Sequence, residues 1–138
     1  VKGLPFAFFA AAVIAVTCGM GLGIFMGASG DHSYADTHAH LNLIGWVTMA
    51  LFGVYYQLTP QAARTTLARV HFAVALLGVV TIVPGIAIVT HGGTELWSSI
   101  GSLLTFASML IFLFAVFRHG LGAGAGQGRS LPGGVPAE

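Results

Sequence analysis

Four long apolar runs, near residues 4–28, 37–58, 67–90 and 96–117, constrain this chain more than any other feature. Each, as a helix, is long enough to cross a hydrocarbon core of about 30 Å. Lipid offers the backbone no hydrogen-bond partners, so a lone span must satisfy its own N–H and C=O groups, and helix does that. Charged residues are 7% of the 138 and hydrophobic ones 56%, whereas a soluble domain carries roughly a quarter charged residues. The fold class that follows is all-α, an integral membrane four-helix bundle. It occupies residues 1–118 as one domain, and the Gly/Pro-rich stretch 119–138 reads as a flexible tail. The first run exceeds the roughly 7–15 apolar residues of a secretory leader and is read as a span.

The bases orient the bundle. Lys2, Arg64, Arg69, Arg118 and Arg129 all fall on one side, while the opposite loops, "SGDHSYAD" and "HGGTELW", hold neither Lys nor Arg. The positive-inside rule then makes the basic side cytoplasmic, with both termini inside. The net charge of +1 gives no reason to expect nucleic acid as a partner. One cysteine, Cys18, excludes an intrachain disulfide and any Cys-based metal framework; it reads as a small packed residue. No Asp, Glu or Lys lies within the apolar core of a span, so proton pumping is not expected.

Six histidines outnumber the acids and the strong bases alike. His32, His38, His40 and His91 group toward the outer face. His71, close to Arg69, reads as a headgroup contact at the inner face, and His119 as a solvated residue. The stretch "THAHLNLIGW" opens the second span with His38 and His40. Two helical residues lie about 200° apart around the axis, so the rings point to nearly opposite faces. Such a pair cannot readily grip one ion; it suits one helix giving one ligand to each of two sites. Below His38 run Leu41, Asn42, Gly45, Met49, Phe52 and Tyr56, and below His40 run Ile44, Val47, Leu51 and Tyr55. Gly45 and Gly53 leave room for something flat or for a close helix, and Gly19, Gly21, Gly23 and Gly27 suit close helix approach in the first span. Imidazole is a good axial ligand for heme iron, and ionisable groups in a membrane segment are usually functional. Two other readings stand beside this one. The pair could simply hydrogen-bond water or a loop carbonyl at the interface, or His32, Asp36 and His91 could form a copper or zinc site.

Residues 37–60, "THAHLNLIGWVTMALFGVYYQLTP", resemble the tenth transmembrane helix of the heme–copper oxidase catalytic subunit, subunit I. In that family an H-x-H pair opens the span near the outer face. A Gly-containing apolar run with aromatics follows, and then a proline; here Pro60 stands 22 residues after His38. The resemblance implies that His38 would bind a high-spin heme and His40 a low-spin one. The family's twelve core spans form three arcs of four, so this chain resembles one arc. It has no adjacent histidine pair, which the family's copper site requires.

The resulting expectation is a membrane b-type heme protein for electron transfer or gas-ligand binding, with hemes held between protomers by His38 and His40. His91 and His32 are secondary ligand candidates. A cyclic assembly would bring His38 of one protomer to His40 of the next, and the three-arc resemblance implies a homotrimer, with a homodimer as rival. The alternatives are an oxygen or nitric oxide reductase-like enzyme, a copper- or zinc-binding membrane protein, and a cofactor-free accessory subunit. The expected location is the bacterial inner membrane, with an unidentified redox partner.

Overall fold

The computed structural model describes residues 3–122 and 124. The remainder of the expected tail, including Arg129, lies outside the described residues. Helix α1 spans Leu4–Ser29, opening with Pro5 in its first turn and closing on left-handed Gly30 (φ 70°), whose amide donates to Met26 O. Both are ordinary helix punctuation, since proline needs no hydrogen-bonded N–H there and glycine carries no Cβ penalty. The second span is continuous but not uniform. It runs as α2 (Ala35–His40), a π-helical segment (Leu41–Thr48) and α3 (Met49–Leu58). After a short α4 (Pro60–Ala63), α5 (Thr66–Thr90) begins at Thr65, whose hydroxyl accepts from the Ala68 amide, and α6 (Leu96–His119) completes the bundle. Among the described residues, four helices are long and apolar enough to cross a membrane. One end of the bundle carries Arg64 and Arg118, and the other carries His38, His40 and His91; these are called the arginine end and the histidine end below.

The helices hold by close backbone approach. Spans in lipid gain little from hiding apolar surface from one another, so van der Waals contact and small residues dominate their packing. Helices α5 and α6 form the most extensive pair. A Cβ on Gly85 would strike the Ser98 backbone, one on Gly101 would strike the Ile82 backbone, and one on Gly78 would meet the Thr105 side chain at 2.9 Å. The second span uses glycine in the same way against α1. Gly45 faces Ala15, and Gly53 faces the backbone of Pro5 and Phe9. The room expected at these two positions for a flat group or a close helix is therefore taken by a helix of the same chain. Gly21 and Gly27 face open space, so the close approach expected of all four α1 glycines is realised within the chain only at Gly19 and Gly23.

The face expected below His38 is the buried one: Gly45, Met49, Phe52 and Tyr56 are buried, while Val47 and Leu51 on the other face are exposed. Tyr55 departs from this pattern. It is buried against α6, with its hydroxyl 3.1 Å from Ala115 O and 3.0 Å from Gly120 O. Cys18 also differs from expectation, being exposed on the outside of α1 rather than packed.

These contacts predict an asymmetry among the glycines. Gly101→Leu should cost about 1–3 kcal/mol by overpacking the α5–α6 seam, whereas Gly21→Ala should be neutral or slightly stabilising. Unfolding midpoints in mixed detergent would check both.

Candidate functional site: the histidine end and a buried histidine

His38 is half-buried at the head of the second span and turned onto α1. Its Nδ1 lies 3.0 Å from Gly19 O. A carbonyl only accepts, so Nδ1 carries the proton and Nε2 keeps its lone pair. Glycine makes this seat. A Cβ on Gly23 would come within 3.1 Å of His38 Cε1, and one on Gly19 would collide with the Asn42 amide at 2.6 Å. Asn42 Nδ2 donates to His38 O at 2.8 Å and sits 3.3 and 3.4 Å from the two ring nitrogens. A group nearly equidistant from both nitrogens is in line with neither lone pair, so it braces the ring without occupying Nε2.

His40 is half-buried and held differently. Its Nδ1 donates to Asp36 O, one turn back in its own helix, at 2.8 Å. The two rings thus attach to different elements, His38 to α1 and His40 to α2. The other two histidines of this end follow the same rule. His91 Nδ1 donates to Ala87 O at 2.8 Å and His32 Nδ1 to Gly30 O at 3.1 Å. Among the described residues His32, His40 and His91 leave Nε2 without a hydrogen bond, and His38 leaves it with only the 3.4 Å contact from Asn42. Anchoring of one ring nitrogen by a carbonyl is the second-shell arrangement that fixes tautomer and orientation in metal-ligating histidines.

The loops around them are polar. The Ser33 amide donates to Asp31 Oδ1 at 2.9 Å, which holds that carboxyl below its ordinary range. The Tyr34 ring lies 4.8 Å from that of His91. Among the described residues, no three His, Cys, Asp or Glu side chains gather as a metal ion would require. The set His32, Asp36 and His91 is therefore not assembled within one chain. Below His38, an apolar groove of about 600 Å³ runs between α1 and α5, its lining including Ala11, Ala15, Cys18, Leu41, Val80 and Pro84.

His71 corrects the sequence reading outright. Expected at a headgroup, it is instead fully buried inside the bundle. Its Nδ1 lies 2.9 Å from the Tyr56 hydroxyl. Its ring stands 4.5 Å from that of Phe52, 5.2 Å from Phe8 and 5.7 Å from Phe112. Its Nε2 and Thr37 Oγ1 are the buried side-chain polar atoms without a hydrogen-bond partner among the described residues. A signal for this was present in the sequence. Ala68, His71, Ala75, Gly78, Ile82 and Gly85 recur at helical spacing, and all are buried; His71 belongs to that small-residue stripe. His119, expected solvated, is half-buried at the end of α6.

Comparison with protein families, with curated sequences and with solved structures finds no match.

The geometry predicts tautomers. Nitrogen NMR of ¹⁵N-histidine protein at alkaline pH should show Nδ1-protonated rings for His38 and His40, and an Nε2-protonated ring for His71. The reverse pattern would contradict the hydrogen-bond assignment.

Proposed function

We propose that the protein is a b-type heme protein of the membrane, carrying electrons or binding a small gaseous ligand. His38 of one protomer and His40 of its neighbour are its axial ligands. The observation that supports this best is the carbonyl-anchored Nδ1 at both positions, which leaves the lone pair of each ring on Nε2. A ring fixed in that tautomer offers iron its lone pair with little ordering left to do. The attachment of the two rings to different elements favours one ligand for each of two sites over a shared ion. The apolar α1–α5 groove below His38 supplies surface of the kind, and a volume in the range, that cofactor sites use.

Bound heme would supply a one-electron couple or a site for a gas ligand. The chain's own part is to orient the imidazoles. Gly19 O and Asn42 hold His38, Asp36 O holds His40, and Gly19 and Gly23 let the His38–Asn42 unit lie against α1. The assembly proposed is a cyclic homotrimer, in which the same heterologous contact repeats at each interface. The bases at the arginine end support a cytoplasmic location for that face, with the histidine end outward and the bacterial inner membrane as the setting.

Purified, reduced protein should show the sharp visible bands of a six-coordinate heme. His40→Ala should lower heme content or convert that spectrum to a five-coordinate one. Native mass spectrometry should find one heme per protomer in a trimer. An unchanged His40→Ala spectrum, or a heme-loaded monomer, would contradict the ligand assignment.

A further inference from the structure

We infer that Tyr56 and His71 form a separate redox site, in which Tyr56 is oxidised by one electron as its phenolic proton passes to His71 Nδ1. The inference stands apart from the heme reading, because it rests on different residues toward the arginine end of the bundle.

The direction of the hydrogen bond sets the chemistry. Tyr56 and His71 are 1% and 0% exposed, and the 2.9 Å bond between them is the one hydrogen bond the Tyr56 hydroxyl makes among the described residues. The phenol must donate, since otherwise its own proton would be buried without an acceptor. His71 Nδ1 is then the acceptor, and Nε2 carries the ring proton without a partner among the described residues. An imidazole nitrogen lone pair is a base; an amide carbonyl is a very poor one. Adjacent Tyr55 is the internal contrast, its hydroxyl facing the carbonyls of Ala115 and Gly120 and the side chain of Thr59, none of which is a base. Of two neighbouring tyrosines in one bundle, Tyr56 alone has somewhere to send its proton.

The step balances. Tyr56 O–H and neutral His71 become a neutral Tyr56 phenoxyl radical and an imidazolium protonated at both nitrogens. The electron leaves to a one-electron outer-sphere oxidant, and on re-reduction the proton returns along the same bond. The rings of Phe8, Phe52 and Phe112 around His71 offer the imidazolium π faces where water is excluded, which offsets part of its desolvation cost. The Tyr56 ring is itself 1% exposed and stacks on Phe8. The Tyr56 O–H bond breaks and a His71 Nδ1–H bond forms; no other covalent bond changes.

The test supplies its own oxidant. Arg64 is exposed and, with Tyr56, lines a cleft of about 280 Å³ at the arginine end of the bundle. A ruthenium polypyridyl attached at Arg64→Cys, on a Cys18→Ser background, can be flash-oxidised in the presence of persulfate. Electron paramagnetic resonance should then show a tyrosyl radical that is lost in Tyr56→Phe and retained in Tyr55→Phe. In His71→Gln, which keeps a polar side chain but removes the base, its formation should slow by roughly 100-fold. Protein prepared in D₂O should also form the radical more slowly, a readout that does not depend on the variants folding. No radical in the parent protein, a signal surviving Tyr56→Phe, an unchanged rate in His71→Gln or the absence of a D₂O effect would each overturn the inference.

Discussion

Close backbone contact between helices is the constraint on which the rest of this structure depends. With no water to expel from between spans, the bundle is held where glycine lets one backbone touch another. Gly85 and Gly101 close α5 onto α6, and Gly45 and Gly53 close the second span onto α1. The same device seats the histidines. Gly19 supplies the carbonyl that fixes His38, and the missing side chains of Gly19 and Gly23 make space for Asn42 and the His38 ring. Packing and imidazole geometry at the histidine end are therefore one arrangement rather than two.

Polar groups in such a bundle must find partners inside it, and the histidines divide by the partner they find. Those at the histidine end bond backbone carbonyls, which leaves Nε2 as an acceptor. His71 bonds a phenol, which leaves Nε2 as a donor. The first arrangement suits an electron-pair acceptor such as iron, and the second suits proton transfer. One residue type would thus suit two chemistries, selected by whether its partner at Nδ1 accepts or donates.

Much of the architecture was legible in the sequence because length and hydropathy are physical requirements of a span. The helices Leu4–Ser29, Thr66–Thr90 and Leu96–His119 lie where the apolar runs place them. The π-helical stretch Leu41–Thr48 was not legible, since no residue pattern demands it and the packing of Gly45 against Ala15 and Val79 is a tertiary matter. π segments occur often at functional sites, and this one begins immediately after His40. Helical spacing points His38 and His40 to different faces; their anchors, a carbonyl on another helix and one on the same helix, were not legible. His71 was misplaced because its neighbour Arg69 and its position near a span end weighed more than its membership of the Ala68–Gly85 stripe. Its partner Tyr56 lies on a different span, a pairing that spacing along one helix does not reveal.

The central claim is that His38 and His40 act as one ligand pair across a subunit boundary. Co-expression of differently tagged His38→Ala and His40→Ala chains, with isolation of the mixed oligomers, tests it most directly. Each variant alone lacks one ligand at every interface. In a mixed ring, a His40→Ala protomer keeps His38 and can meet the intact His40 of an adjoining His38→Ala protomer. The account predicts that the mixed oligomers regain one six-coordinate heme while either variant alone has none. Mixed oligomers as devoid of six-coordinate heme as the parent variants would contradict it.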